Sequence, residues 1–554
     1  MTGGKMSTRR TLLSGALALA SARTAIGADT AAAAGAAGAG VNHSGTPYMP
    51  GDVRRYGLIP NSEAAAPDNT KALRALVAPG SAFGGNVTFP NTTGSDVYHL
   101  NDIIPFRDGI HVDLQGSTLR FSKIGVKDDT NTGFIYAVRD FSIENGSIVV
   151  DYQMGGGGVA AGCALQFGNR DEESRYFSPT YDSMLPSPMG NIVVRNLRIS
   201  SNTKGGTGID MTGGLNGVVM ENIWIDGNGG ALDNGIYYEF GWATNEAKRE
   251  LRQTAHAYNM RFSNINISNL NPANGEAFTL AGAYNCSIDG LYVKSAKILF
   301  ACTPGESGFY RPWKGVDQIG VKRNIALRNI VGIGITGTAI AIAGASAKTH
   351  TYLSVTNNTA KDETDLISCS IDGFAIDGAN LDGYGIHSSA EKFDLRNGRI
   401  TNFSRGIVTT HECTRMTIES VDIFGCKQCG MQIGQSSSIW DPPRQKMGFI
   451  RNCFIAGNSV ASPGVFAAIE FDRSAAFVIE GNRFGYEPDH DGIPEATQGF
   501  AVRIGAQANN VVCRCNHVGG VALGGTAFVS AAGSQGNRIE NSSGIASTSG
   551  SWSR

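Results

Sequence analysis

The chain has 554 residues, of which 73 are glycine and 18 proline; 41% are hydrophobic, 17% are charged, and the formal net charge is -2. That balance excludes a general nucleic-acid binder, which would carry a basic face, and leaves enough apolar residues for a core. Abundant Gly and Asn with little charge fit many short strands joined by tight turns.

The N-terminus reads as a targeting segment. Thr8-Arg9-Arg10-Thr11-Leu12-Leu13 precedes a mildly apolar run ending at Ala22. Paired arginines ahead of such a run resemble a twin-arginine export signal. The run is too short to span a membrane. We expect a signal over 1–28, an Ala/Gly-rich linker over 29–49, and a periplasmic or secreted protein with no membrane partner. The ten cysteines do not space as a disulfide framework, and the default for each is a free, buried thiol. Cys426-Lys427-Gln428-Cys429 has the spacing of a redox pair or half a zinc site, but no second pair accompanies it.

Residues 50–122 carry Asp52-Val53-Arg54-Arg55-Tyr56-Gly57, then Asp68-Asn69-Thr70-Lys71-Ala72-Leu73, then Gly85-Asn86-Val87-Thr88-Phe89-Pro90, Tyr98 and Gly116-Ser117-Thr118-Leu119. This stretch resembles the opening of the pectate-lyase-like family of right-handed parallel β-helices. The resemblance implies a strand at Asp52–Gly57, a capping helix at 69–77 with Asp68 as its N-cap, and then the first rungs. It says little about chemistry, since lyases, hydrolases, epimerases and tailspikes share the architecture.

From residue 141 an internal repeat is legible without any family. Phe141-Ser142-Ile143-Glu144-Asn145 recurs in motifs ending at Asn196, Asn222, Asn264, Gly290, Asn329, Gly373, Asn397, Ser420, Asn452 and Gly481. Each is followed by alternating apolar residues, which fits coils of a solenoid. The repeated Asn fits side-chain bonding to the turn backbone. A Gly- or Ala-led strand precedes most copies, so Ile209, Ile236, Phe278, Ile340, Ile386 and Ile469 should form an interior ladder. Gln166, Asp210, Tyr237, Thr279, Leu299, Ala341, His387, Val408, Gln432, Glu470 and Arg503 should then face outward. The predicted fold is all-β: a single right-handed parallel β-helix over 123–540, with long loops along one edge and a tail at 541–554.

Those loops interrupt the repeat at 168–190, 240–258, 302–322 and 345–365, always after the same strand. Insertions at one point of a repeat map to one edge, often the binding face. The first holds Arg170 and Tyr176, the second Trp242, Arg249, Arg252 and His256, and the third Tyr310, Arg311 and Trp313. The coil between the second and third, with Thr279 and Ala281 outward, reads as the floor of a groove. Aromatic faces cover sugar rings, and arginine forks pair with uronate carboxylates. The expected substrate is an acidic polysaccharide, and substrate binding falls to Arg252, Trp242, Tyr310, Arg311, Trp313, Arg170 and Tyr176.

Two chemistries fit. β-Elimination needs a cation to neutralise the uronate and a base and acid to move protons; Arg249, Arg252 and Arg311 are the candidates for the first, His256, Tyr237 and Tyr310 for the second, with Glu239 orienting His256 or an arginine. His387 is the competing histidine. Hydrolysis would use Asp210 and Glu239, outward on neighbouring coils at roughly 5–9 Å. Hydrolase-like acidic strings are absent, which favours elimination. No cofactor is expected; calcium would have only Asp210 and Glu239 as ligands. A non-catalytic, tailspike-like polysaccharide binder is the third reading.

Overall fold

Each coil of this chain turns on a switch of parity. In the strand Arg139–Asp151 the buried residues are Phe141 and Ile143, then Ile148 and Val150. Strict alternation would send Ile148 outward. The switch falls at Asn145, whose φ of 62° lies in the left-handed region, so the strand bends and both halves face one interior. Asn and Gly are the residues that enter this region at least cost. Asn222, Asn264, Asn329 and Asn397 repeat the bend with φ between 51° and 56°, and Gly290 and Gly373 hold the same place at 78° and 73°. The residue that ends each repeated motif is therefore the corner of a coil.

At these corners the asparagine amides bond to side chains of the neighbouring coil rather than to the backbone, contrary to the expectation from sequence. Asn196 Nδ2 donates to Asn145 Oδ1 at 2.9 Å, Asn222 to Asn196 at 2.9 Å, and Asn264 to Asn222 at 3.1 Å, while Asn145, Asn329 and Asn397 donate to Asp113, Asp289 and Asp372. Stacking sets a polar side chain of the next coil beside each amide, so the amide finds it before it finds a carbonyl. Backbone bonding is kept for the buried asparagines of the later coils: Asn482 Nδ2 donates to the Ile450 carbonyl at 2.9 Å.

The structure is a computed structural model. It describes residues 47–122, 134–151, 163–168, 189–201, 206–239, 241–243, 252–255, 257–303, 310–312, 323–342, 367–379, 382–410, 413, 415–435, 447–485, 497–519, 526–543, 547–549 and 552–553. The expected export signal lies outside these residues. The described strands fall into two parallel sheets of 21 and 15 strands and one small sheet of three. The bent strands build the first. The Gly- or Ala-led strands build the second, from Ile104–Pro105 to Ser547–Ser549. This is a single parallel β-helix with one continuous apolar core.

Ile209, Ile236, Phe278, Ile340 and Ile386 are fully buried and lie in one register column, with Phe300 between Phe278 and Ile340. Fully burying each such side chain contributes about 1.5–3 kcal/mol. The outward column runs Gln166, Asp210, Tyr237, Thr279, Ala301, Ala341, His387, Val408, Gln432, Glu470, Arg503. Leu299 is not in it. It is fully buried and packs where Gly332 leaves room, since a methyl at Gly332 would collide with its Cδ1.

The N-terminal end differs from expectation in two details. Val53–Tyr56 is a 3-10 turn, not a strand. The Asp52 carboxylate accepts the Arg54 amide at 2.9 Å and the Arg54 guanidinium at 2.7 Å, which curls the chain, and Gly57 closes the turn at φ 92°. The helix is Ala66–Val77, with Ala65 at the N-cap position. Pro67 fits the first turn of a helix, where its missing N–H is not needed, so the helix begins before Asp68. That places Asp68 inside the first turn, where its charge meets the helix dipole. Leu73, Leu76 and Val77 face the core and close the end of the stack.

Candidate functional site

The strand Leu232–Glu239 alternates as its sequence predicts. Ile236 and Tyr238 point into the core; Tyr237 and Glu239 face outward and are half-buried. Tyr237 sits beside Asp210 on one side and Thr279 on the other, and Glu239 beside Thr212 and Ala281. Asp210 and Glu239 are thus one strand and two residues apart. Asp210 is only 9% exposed, while Glu239 is half-buried.

Tyr238 is the clasp of the second loop. Its hydroxyl donates to the Gly213 carbonyl at 3.0 Å and accepts the Ala257 amide at 2.6 Å. Ala257 is the residue at which that loop rejoins the coil, so one core tyrosine ties the returning chain to the coil below. Beside it Tyr258 stacks on Tyr284, with ring centroids 5.2 Å apart.

The loop chain forms its own small sheet. Gly241–Ala243 pairs antiparallel with Arg252–Ala255, and Arg252–Ala255 pairs in parallel with Tyr310–Pro312. Trp242 stands opposite Thr254, Arg252 beside Tyr310, and Gln253 beside Arg311. The second and third loops therefore meet, although their parent strands are separated by Glu276–Ala281. His256, Arg249, Trp313, Arg170 and Tyr176 lie outside the described residues, as does most of the first loop.

The coil expected to form the groove floor is enclosed. Thr279 is 4% and Ala281 7% exposed, so this coil is not an open trough. It also brings a carboxylate that the sequence reading passed over: the Thr279 hydroxyl donates to Glu276 Oε2 at 2.7 Å. Glu276 stands beside Asn234 in register, at the position just before the Gly- or Ala-led strand. That position forms a column of its own, and its spacing was the signal available.

The same column holds Tyr384 and Arg405, paired on adjacent strands. The Tyr384 and His387 rings lie 5.6 Å apart, and Arg405 Cζ lies 5.8 Å from the Tyr384 ring centre. Arg405 Nε donates to Gln428 Oε1 at 2.6 Å, and its Nη1 donates to Gln432 Oε1. Gln432 Nε2 in turn donates to Asp472 Oδ2 at 2.6 Å. Burial pushes the His387 pKa down and the Asp472 pKa up.

The Cys426–Cys429 pair is unbonded and buried. Burial pushes the Cys426 thiol up to about 12 and the Cys429 thiol well above its ordinary value, so both are poor ligands. Among the described residues no group of three or more His, Cys, Asp or Glu could hold a metal ion, and no helix is long and apolar enough to cross a membrane.

No protein-family model matches the chain, and no curated sequence matches it. Solved structures do. The chain is similar to an A-module of Azotobacter vinelandii mannuronan C-5 epimerase, at 10% identity and a TM-score of 0.34, over 90% of this chain and 99% of that one. It is similar to the tailspike of an Escherichia coli bacteriophage solved with a hexasaccharide, at 10% identity and a TM-score of 0.43, over 84% of this chain and 75% of the tailspike. The catalytic unit of an alpha-1,3-glucanase from Streptomyces thermodiastaticus gives 13% identity and a TM-score of 0.32, over 92% and 70%.

Proposed function

We propose that this chain is an exported enzyme that cleaves an anionic, uronate-containing polysaccharide by β-elimination. The observation that carries the reading is the pairing of the second and third loops, with Arg252 beside Tyr310 and Gln253 beside Arg311. Two loops rich in arginine and aromatic residues join across one coil, next to the strand of Tyr237 and Glu239. Export rests on the paired arginines at 9 and 10, and the pectate-lyase-like affiliation on residues 50–122.

The chemistry follows from what a uronate needs. Arg249, Arg252 and Arg311 pair with the carboxylate and stabilise the charge that develops when C5 loses its proton. His256 takes that proton, the C5 electron pair forms the C4–C5 double bond, and the C4–O bond breaks. Tyr237 or Tyr310 supplies a proton to the leaving oxygen. Glu239 orients the base. The hydrolytic alternative uses Asp210 and Glu239 on their adjacent strands; the non-catalytic one uses the same loops for binding alone.

Three sets of variants separate these readings. His256→Ala is expected to lose at least about a hundredfold in rate, and undiminished cleavage would remove it from the mechanism. Arg249→Ala and Arg311→Ala should lower turnover of charged substrates with little loss of stability, since both lie in insertions outside the repeat that builds the core, and changes away from a core usually cost about 0.5 kcal/mol or less. Retained activity in both Asp210→Asn and Glu239→Gln would eliminate the hydrolase. A protein that binds the polymer tightly and never turns it over would be the binding module.

A further inference from the structure

Several outer-face arginines pair with a carboxylate on a neighbouring coil: Arg195 with Glu221, Arg451 with Glu419, Arg503 with Glu470 and Arg514 with Glu480. Others, Arg198 and Arg399, lie over the rings of Trp224 and Phe424. Arg405 is held differently. It is half-buried, yet two neutral glutamine carbonyls hold it, and no described carboxylate pairs with it. The nearest route to a negative charge runs through Gln432 to Asp472.

That route also fixes the glutamine. With Asp472 accepting from Nε2, the amide of Gln432 can only turn its oxygen to Arg405. The guanidinium is therefore set in place by two acceptors on the next coil, and its Nη2 has no bond to a described residue. Two more polar ends near it are likewise without a bond to a described residue: the Tyr384 hydroxyl and both ring nitrogens of His387. A positioned cation whose described acid, Asp472, is reached only through Gln432, an aromatic ring beside it and an imidazole are groups that read a carboxylate-bearing sugar. Burial disfavours the charged form of His387, and its neutral ring can accept a sugar hydroxyl without adding charge.

We propose that Arg405, Tyr384 and His387 form a second carboxylate-binding subsite for an acidic glycan, on the same face as Tyr237. The inference rests on the proposed function for the nature of the polymer. The column from Tyr237 to His387 passes through Thr279, Ala301 and Ala341. Those four strand spacings amount to about 19 Å, so a saccharide that reaches both places is several rings long and passes over the buried Thr279 and Ala301 rather than along them. The subsite reads length and charge, and it takes no part in bond cleavage.

The test measures binding of the full-length protein to polygalacturonate, polymannuronate and polyglucuronate, and to their disaccharides, by affinity electrophoresis and calorimetry. Arg405→Met removes the cation. Gln428→Glu keeps the shape and gives Arg405 an internal carboxylate, so it blocks the subsite without a cavity. Both variants should bind whichever polymer the wild type prefers about tenfold or more weakly, the loss expected for a charge-assisted bond. Disaccharide handling and affinity for neutral polymers should not change. If wild-type protein cleaves a polyuronate and both folded variants bind and cleave it equally well, the subsite is wrong and the enzymatic reading survives. If binding falls in both variants but nothing is ever cleaved, the subsite stands and the enzymatic reading fails. If no polyuronate binds the wild type, both are overturned.

Discussion

The corner residues show how one backbone requirement becomes a molecule-wide feature. Asn222 at φ 56° bonds to Asn196 below and receives Asn264 above. The bend requires the left-handed conformation, which alanine adopts at a cost of about 1–2 kcal/mol; the exposed ladder bonds contribute less. Asn222→Ala should therefore destabilise the fold by about 1–2 kcal/mol, and Asn222→Gly by roughly 1 kcal/mol less than that. Denaturant unfolding of the two variants decides it; equal losses would mean that conformation is not why asparagine stands there. At this scale the sequence was informative where a residue type answers one local need. Asn145, Asn222 and Ile236 were legible for that reason. Leu299 was misread because Ile298-Leu299-Phe300 is an unbroken apolar run, in which period-two alternation gives no register. Arg405 was passed over because its partners, Gln428 and Gln432, come from the next coil and are brought to it by stacking.

Among the elements, the second loop is the informative one. Its strands Gly241–Ala243 and Arg252–Ala255, with Tyr310–Pro312 from the third loop, form a sheet that no periodicity announced. Three or four residues per strand are too few to show alternation, and the pairing partner lies over fifty residues away in the chain. What was legible was that the insertions leave the repeat at one point. Tyr238 holds the base of this element, and Ala257, whose amide it accepts, is fully buried. Tyr238→Phe keeps the ring in the core but strands that amide, at about 1–3 kcal/mol. We expect faster amide exchange between residues 238 and 260 and reduced turnover, with exchange in the remaining coils unchanged. Unaltered exchange in that segment would show that the hydroxyl does not hold the loop.

For the whole molecule, the stack supplies a rigid face on which chemistry can be set out at fixed spacing. Every coil repeats the same inward column, so the core of one coil is completed by the next, and the Ala66–Val77 helix closes one end. The proposed chemistry is placed on two features of that face: the joined loops beside Tyr237 and Glu239, and the paired column residues Tyr384 and Arg405. The architecture was readable because a repeat states its rule many times over. The chemistry was only partly readable, since it depends on how a few loops meet and each loop occurs once. The reaction proposed for this face is elimination across a uronate linkage, and the most direct measurement follows the action of the protein on a panel of acidic and neutral polysaccharides by ultraviolet absorbance and by reducing-end release together. The account predicts that both signals rise in step with at least one polyuronate and with no neutral polymer, because elimination leaves an absorbing unsaturated uronyl end at each break. Reducing ends released without that absorbance would mean hydrolysis and would contradict it.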